Sequence, residues 1–364
     1  MIGVRVLSLI LVIGFAIQLQ GQSDEKDVQK KKSIVALPLV FFTPETDWGF
    51  GAAGLSTFRF KNSNIYDRPS QIQLGGAYTL KKQLLSYLSY QLFTPHQSYF
   101  IFGELGYYRY VYPYFGIGND TNDEDEEFYS VNFPRIRLNV LKKVRNNWYV
   151  GIRYWWDDYE LAEKKTESLL NRSEVLGSIA SIISTVGAIS IYDNRDHVFY
   201  PSDGWYLEAS LSISGSATGA SHQYQRLTVD ASRYISLGNK KHILALNGFA
   251  DVTFGQVPFQ QLAFIGGTKK MRGIIEGRFR DKKLLMLQAE YRFPLFWIFK
   301  GAAFAGTGQV APEFGDFGIN ELHASYGLGL RIEINKEDKV HVRIDFGFSE
   351  DGELLPYLTF NEAF

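Results

Sequence analysis

Long stretches of this chain alternate between apolar side chains and polar or small ones with a period of two residues. In residues 284–293 (LLMLQAEYRF), the apolar side chains fall mainly on one face of an extended chain, and Glu290 and Arg292 fall on the other. Residues 323–334 and 340–348 repeat this pattern. Successive side chains of a β-strand point to opposite faces, so the period predicts strands with one apolar and one polar face. Strands of ~10 residues with this pattern build the wall of a transmembrane barrel, whereas strands of soluble sandwiches average ~5–6 residues.

The alternating segments can be counted along the chain, and the count is 16. An even number leaves both chain ends on the periplasmic side, as in bacterial single-chain barrels. We therefore predict an all-β fold over residues 34–364, a 16-stranded antiparallel transmembrane β-barrel of the bacterial outer membrane. The predicted strands are 35–43, 48–61, 69–80, 82–94, 98–111, 128–142, 146–160, 178–193, 204–215, 222–236, 240–253, 282–294, 296–307, 323–335, 339–349 and 354–364.

The first residues have the form of an export signal. Arg5 precedes an apolar run from Val6 to Ile17, and the polar stretch QSDEKDVQKKKS follows at residues 22–33. A positive start and an apolar core shorter than the ~20 residues of a membrane-spanning helix are typical of a secretory signal peptide. We predict a cleaved signal peptide over residues 1–21, a polar linker over residues 22–33, and a location in the outer membrane of a Gram-negative cell.

Composition and motifs argue against several classes of protein. The chain has 38 Lys and Arg residues against 39 Asp and Glu residues, so it offers no broad basic surface to a nucleic acid. It has no cysteine for a disulfide or a thiolate metal site, and its six histidines are scattered singly. The sequence lacks nucleophile-elbow, zinc-protease and phosphate-loop motifs. We predict no catalytic residue, metal site or cofactor, and we interpret His341 and Asp345, on the polar face of one strand, as lumenal packing.

Residues 254–281 form the longest predicted connection and are rich in glycine and charge. They contain Phe264-Ile265-Gly266-Gly267, Met271-Arg272-Gly273-Ile274 and Gly277-Arg278-Phe279-Arg280-Asp281. With these residues the chain resembles the BamA/TamA outer-membrane insertase superfamily, whose surface-antigen barrel domain carries an Arg-Gly motif in its sixth extracellular loop. Further pieces agree in order: residues 44–51 (PETDWGFG), residues 192–204 (YDNRDHVFYPSDG) and the terminal Phe364. The resemblance covers about residues 34–364.

The resemblance implies that this loop folds back into the barrel lumen and is held there by its arginine. The predicted lumen lock is formed by Arg272, Gly273 and Glu290. The predicted loop motif is completed by Gly266, Gly267, Met271, Arg278 and Asp281. The predicted C-terminal insertion signal is formed by Tyr357, Phe360 and Phe364.

The residues themselves favour an inward position of the loop. Ordering a loop of this length in water costs conformational entropy, and nothing in its sequence forms a separate core. An inward fold removes Phe264, Ile265 and Met271 from water. Glu290 lies on the polar face of its strand, and the planar fork of Arg272 can bind such a carboxylate with two hydrogen bonds. The alternative is an exposed loop arginine among extracellular sugars.

Two departures limit what the resemblance implies. Insertases and translocases of the superfamily carry POTRA domains ahead of the barrel, but only residues 22–33 separate the predicted signal peptide from this barrel, so we expect a member without them. The family also has a Phe-x-Asp-x-Gly pattern whose aspartate helps to hold the loop arginine. Here the pattern reads Phe304-Ala305-Gly306-Thr307-Gly308, with Gly306 in the place of the aspartate. Glu290 is therefore expected to be the one remaining family partner of Arg272.

The resemblance implies a role in the assembly or translocation of proteins or lipids at the outer membrane. The expected partners are outer-membrane lipid, lipopolysaccharide and periplasmic or outer-membrane assembly subunits, and not nucleic acid. The alternative is a passive diffusion pore, and an excess of arginine on the predicted inner face would give an open lumen a weak anion preference. The inner-face charges are Arg135, Arg137, Arg153, Arg226, Arg292, Arg331 and Arg343 against Asp157, Asp230, Glu290, Glu333 and Asp345.

Overall fold

The strands of the computed structural model pair with their neighbours in an antiparallel sheet, and 16 of them close into a barrel. The predicted fold class is thereby confirmed. The structure describes residues 33–64, 67–163, 168–172, 175–238, 241–336 and 339–364. The predicted signal peptide, and the predicted linker except Ser33, lie outside the described residues.

The barrel strands follow the predicted segments closely. They are β1 (Ser33–Thr43), β2 (Asp47–Phe58), β3 (Ser70–Thr79), β4 (Leu84–Phe93), β5 (Tyr99–Tyr114), β6 (Glu127–Arg145), β7 (Trp148–Glu163), β8 (Ala180–Asp193), β9 (Gly204–Ser214), β10 (Tyr224–Leu237), β11 (His242–Gly255), β14 (Lys283–Pro294), β15 (Phe299–Ala311), β16 (His323–Asn335), β17 (Val340–Ser349) and β18 (Leu354–Phe360). A separate hairpin, β12 (Ala263–Ile265) and β13 (Phe279–Asp281), lies between β11 and β14, and a short helix, α1 (Leu169–Arg172), lies between β7 and β8. Within the described residues, no helix has the length and apolarity to cross a membrane.

Burial along the strands is the reverse of that in a soluble protein. On β14, Leu287 is 65% exposed on the outer surface, whereas Glu290 and Arg292 are fully buried toward the lumen. On β17, Phe346 is 43% exposed and Asp345 is fully buried. An apolar outer surface around a charged interior suits lipid outside and a polar lumen inside.

The two ends of the barrel carry connections of different length. The long ones are residues 115–126, 164–179, 256–282 and 312–322, and they leave the end at which β1 finishes. Most turns at the opposite end are short, such as residues 146–147 and 295–298, although residues 59–69 and 194–203 form longer ones. Outer-membrane barrels carry their longer loops on the extracellular side, so we name the two ends accordingly.

Apolar side chains fill the extracellular part of the lumen. They come from β5, β6, β7, β8 and β10, from the connection between β7 and β8 that contains α1, and from residues 256–282, which we call the lumenal loop. The members of this aromatic cluster are Tyr108, Tyr114, Tyr129, Val131, Phe133, Tyr159, Leu170, Val175, Ile183, Tyr224, Val257, Phe259 and Leu262. The ring of Tyr129 lies edge-on to that of Phe259, with centroids 5.2 Å apart. The lumenal loop is thus packed against the inner wall.

The seam between the first and last barrel strands is weakly paired. β1 pairs with β2 along its whole length, and β18 pairs with β17 along its whole length. Among the described residues, β1 and β18 pair at one position, Phe42 with Leu358. Few backbone hydrogen bonds therefore hold the barrel closed at this edge.

The last strand is shorter than predicted and ends at Phe360. Asn361 has a φ of 58°, in the left-handed region that asparagine tolerates, and its N–H donates to the carbonyl oxygen of His341 at 2.9 Å. The chain then enters the lumen, where the side chain of Glu362 is 3% exposed. The predicted strand 354–364 is therefore too long at its end, because buried arginines hold the last residues inside and Arg292 Nη2 donates to the main-chain oxygen of Phe364 at 3.0 Å.

Candidate functional site

The lumenal loop enters the barrel as the hairpin of β12 and β13. Ala263 pairs with Asp281, and Ile265 pairs with Phe279. At the tip of the loop, the Gly266 N–H donates to the Lys270 carbonyl oxygen at 2.8 Å, closing a tight turn. A second apolar cluster joins the loop to the wall: Ala263, Ile265, Met271 and Ile274 pack against Leu284, Met286 and Val310. Apolar burial thus fixes the loop inside the lumen.

Glycine allows the loop backbone to touch the backbone of β17. Gly273 has a φ of 107°, and a Cβ atom there would lie 2.6 Å from the Phe348 carbonyl oxygen. From the other side, a Cβ atom on Gly347 would lie 2.5 Å from the Gly273 nitrogen. A side chain at either position would force the two segments apart.

The guanidinium group of Arg272 lies in the lumen between two carboxylates. Nη2 donates to Glu290 Oε2 at 2.5 Å, and Nη1 donates to Asp345 Oδ2 at 2.6 Å. The guanidinium carbon also lies 3.7 Å from the ring centroid of Phe304. Arg272 is 1% exposed, and both carboxylates are fully buried.

The second carboxylate comes from a strand that sequence reasoning did not connect to Arg272. Gly306 faces the lumen on β15, and a Cβ atom there would lie 3.1 Å from Met271 Cγ. Met271 thus packs close to the inner side of this position, while Asp345 on β17 supplies the second pair of oxygens. The alternation of β17 had placed Asp345 on the polar face, but its meeting with Arg272 depends on how the strands close into a barrel.

Arg272 belongs to a larger set of buried charges, which we call the arginine network. The network consists of Arg272, Arg292, Arg331, Arg343, Glu290, Asp345 and Glu362. Arg331 donates to Asp345 Oδ1 at 2.5 Å and to Glu290 Oε2 at 3.1 Å. Arg292 Nε donates to the other oxygen of Glu290 at 2.7 Å. Charges alternate around this network, so burial of each is offset by charge-assisted hydrogen bonds.

Comparison with known protein families matches residues 86–348 to the Omp85 superfamily domain. The chain belongs to the Omp85 superfamily. Its barrel resembles BamA from Haemophilus ducreyi lacking POTRA domains 1–3, with a TM-score of 0.61 at 16% identity over 92% of this chain and 70% of that one. These findings confirm the family resemblance recognised in the sequence.

Two further solved structures share the fold. CdiB from Escherichia coli aligns with a TM-score of 0.60 at 10% identity, over 90% of this chain and 62% of that one. CdiB from Acinetobacter baumannii aligns with a TM-score of 0.55 at 12% identity, over 90% of this chain and 59% of that one. The present chain therefore spans less than two thirds of either CdiB chain. At these identities the likeness concerns the fold, and an Omp85-type barrel is an outer-membrane protein.

The remaining predicted loop residues of this Omp85 barrel lie in two groups. Gly266, Gly267 and Met271 lie at the tip beside Arg272, and the Met271 N–H donates to Gln288 Oε1 at 2.8 Å. Arg278 and Asp281 lie near the extracellular end, away from the network. There Arg278 Nε donates to Asp123 Oδ1 at 2.8 Å, and Asp281 Oδ1 accepts the Lys282 N–H at 2.7 Å.

The aromatic residues predicted as a C-terminal signal do not share one face. Tyr357 is 1% exposed in the lumen, and its hydroxyl oxygen accepts the Gly273 N–H at 3.1 Å. The same hydroxyl donates to the Ile274 carbonyl oxygen at 3.4 Å. Phe360 is half-buried at the end of β18, and Phe364 lies beyond it. Tyr357 thus contacts the lumenal loop.

A second contact between the loop and the wall was not visible in the sequence. The Glu276 N–H donates to Oε1 of Glu45, which follows β1 and is 3% exposed. Burial, and then the charge of Glu45, raise the pKa of Glu276 to about 7, although Lys270 and Arg280 lower it. Both glutamates lie in connections, where no periodic pattern reports which way a side chain faces.

Ion pairs also line the rest of the inner wall of this Omp85 barrel. Arg135 and Arg137 both pair with Asp157, and Arg226 pairs with Asp251 at 2.5 Å. Arg153 Nη2 pairs with a carboxylate that the predicted inner face did not include, Glu208, at 2.6 Å. Each arginine of the predicted inner face therefore has a carboxylate partner, which reduces the positive potential that the sequence suggested.

Proposed function

We propose that this Omp85 barrel acts in the assembly or translocation of proteins or lipids at the outer membrane. The observation that carries the proposal is the seam, where Phe42 and Leu358 form the one residue pair described between β1 and β18. Separating two strands that share so few hydrogen bonds costs far less than opening any other edge of the barrel. The seam is therefore the place where the lumen can communicate with the membrane.

If the seam opens, its two edges can also bind a β-strand of another protein. The edges of β1 and β18 would expose N–H and C=O groups, which can pair with an added strand. Pro38 has no backbone N–H, so the row of hydrogen-bond donors on β1 has a gap there, as is common on edge strands. An incoming strand would gain backbone hydrogen bonds in a setting where lipid offers none.

A passive diffusion pore is less well supported. The aromatic cluster and the lumenal loop fill the extracellular part of the lumen. Arg272 fastens that loop to the wall through Glu290 and Asp345. A pore needs an open aqueous path lined by accessible charges, and these groups are packed together.

The finer expectations from the sequence belong to the same proposal. We propose that residues 1–21 are removed on export, and that the barrel works beside periplasmic or outer-membrane assembly subunits in contact with outer-membrane lipid and lipopolysaccharide. We also propose that it performs no enzymatic chemistry, since its charged side chains serve as packing of a polar lumen.

A reversible clamp on the seam tests the function. The double variant Phe42→Cys, Leu358→Cys would be reconstituted in lipid vesicles, and the folding rate of an unfolded eight-stranded outer-membrane barrel protein would be measured. We expect the reduced form to accelerate folding over protein-free vesicles, the disulfide form to lose that acceleration, and a reductant to restore it. The control is Val40→Cys, Phe50→Cys, a pair in the fully paired β1–β2 hairpin, which should accelerate folding in both redox states. No acceleration by any form, together with large steady conductance steps in planar bilayers, would favour the pore.

A further inference from the structure

The residues after β18 occupy a carboxylate-binding site inside the lumen. Asn361 turns the chain inward, and residues 361–364, which we call the tail segment, follow the inner wall. Glu362 Oε2 accepts a hydrogen bond from Arg331 Nε at 3.0 Å and lies 3.7 Å from Arg292 Nε. Arg292 Nη2 also donates to the main-chain oxygen of Phe364 at 3.0 Å. Side chain and backbone of the tail segment are thus both held by β14 and β16.

The arginines that hold the tail segment also organise the site of Arg272. Arg292 donates to Glu290, and Arg331 donates to both Glu290 and Asp345. Those two carboxylates are the partners of Arg272. The arginine network therefore contacts both the lumenal loop and the tail segment that follows β18.

The charges of the arginine network also link the stability of the loop to the position of the tail segment. The arginine network contains four guanidinium groups, and its carboxylates are Glu290, Asp345 and Glu362. Withdrawing Glu362 leaves four buried positive charges around two negative ones. A buried charge that loses its partner is strongly unfavourable, so the network holds the loop best when the tail segment is in place.

The inward turn also keeps the tail segment from pairing with β1. Phe42 and Leu358 set the register between β1 and β18. Had β18 continued past Phe360 in that register, Phe364 would lie opposite Ala36, and the lower part of β1 would be paired. The tail segment is therefore withheld from β1 by its lumenal contacts.

We propose that Arg292 and Arg331 form a carboxylate-binding site whose ligand is Glu362 of the same chain, and that this latch couples the seam to the lumenal loop. With the latch engaged, the tail segment stays in the lumen and the seam pairs at Leu358. With the latch released, residues 361–364 extend β18 along β1, and the loop loses part of its hold. The proposal does not depend on the proposed function, because its readouts need only the folded barrel.

A pair of cysteines reports where the tail segment lies. In the background Ala36→Cys, Phe364→Cys, a disulfide forms only when the tail segment runs along β1, so we expect a low yield with Glu362 present. Adding Glu362→Gln, which keeps the shape and removes the charge, should raise the ratio of bridged to free protein about tenfold, equivalent to about 1.4 kcal/mol. Glu362→Asp, which keeps the charge on a shorter side chain, should give a smaller rise and also serves if the glutamine variant does not fold.

A single cysteine at the loop tip reports the coupling. Thr268→Cys should react faster with a water-soluble maleimide in the Glu362→Gln background than with Glu362 present. The matched control is Glu208→Gln, which should change neither readout, because Glu208 is a lumenal carboxylate on β9 that pairs with Arg153 at 2.6 Å and lies outside the arginine network. A disulfide yield unaffected by Glu362→Gln, or raised equally by Glu208→Gln, would overturn the latch. Unchanged labelling at position 268 would overturn its coupling to the loop.

Discussion

Arg272 shows how a single buried charge can hold a whole loop. Its guanidinium group bridges Glu290 on β14 and Asp345 on β17, strands that are separated in the barrel by β15 and β16. Because all three groups are at most 1% exposed, water cannot replace a lost partner. Removing Arg272 would therefore take one buried hydrogen bond from each carboxylate and release the loop from the wall.

Arg272→Ala should lower the free energy of unfolding by about 1.5–3 kcal/mol for each of the two charge-assisted hydrogen bonds that the loop loses, to Glu290 and to Asp345. Urea titration in detergent micelles, followed by tryptophan fluorescence, measures the change. Lys269→Ala is the control, since Lys269 lies at the same loop tip, is exposed and makes no ion pair within the described residues. Equal stability of the two variants would show that the lock carries little energy.

Glu276 should make the stability depend on pH. It belongs to the loop and lies outside the membrane-spanning strands; burial and the neighbouring Glu45 raise its pKa from 4.5 to about 7. The folded state thus binds this proton more tightly than the unfolded state, so the contribution of this group to stability is greatest below pH 4.5 and is lost as pH rises toward about 7. The free energy of unfolding should therefore fall across this window in the wild type more steeply than in Glu276→Gln, and parallel profiles would contradict the assignment.

At the scale of elements, the lumenal loop acts as a wall-bound plug. Its hairpin brings Phe259 and Leu262 into the aromatic cluster, while Met271 and Ile274 pack against β14 and β15. The loop therefore contributes to two apolar clusters and to the arginine network at once. Because its contacts are spread over three sites, the lumenal loop leaves the lumen only when contacts at several sites break together.

Replacing residues 258–279 by a short Gly-Ser turn should convert the barrel into a channel, because much of the packing in the lumen is then removed. We expect steady conductance steps in planar bilayers where the intact protein gives small or erratic ones. The control shortens residues 315–321, which lie in another extracellular loop and outside the apolar clusters. A silent variant would mean that wall side chains alone close the lumen.

At the scale of the whole molecule, closure of the sheet determines how the barrel resists unfolding. Each barrel strand has two neighbours, so the sheet has no free edge from which unfolding can start, except at the weakly paired seam. The inner wall adds ion pairs around its circumference, from Arg137 with Asp157 to Arg292 with Glu290.

The closed barrel should keep its shape in sodium dodecyl sulfate at room temperature, so an unboiled sample should migrate faster on a gel than a boiled one. The boiled sample of the same preparation is the control. The protein should also be recovered with the outer-membrane fraction. Identical mobility of both samples, with recovery in the soluble fraction, would contradict a closed membrane barrel.

Much of the fold could be predicted because the period of two is a local property. Each strand reports which of its side chains share a face, so alternation alone assigns Glu290 and Asp345 to the polar faces of β14 and β17. The pairing of Arg272 with Glu290 was expected from that alternation together with the family resemblance, and the structure brings the two side chains into contact.

Other contacts arise only from barrel closure. Asp345 meets Arg272 because the sheet curves until β14 and β17 face the same loop, and strand alternation carries no information on curvature. Glu362 enters the lumen although its segment resembles a strand that continues to Phe364, because buried arginines compete with β1 for the same residues. Alternation along the chain thus determined the strands and their faces. Closure of the sheet decided which faces meet, since long-range charge pairing depends on distances that sequence separation does not encode.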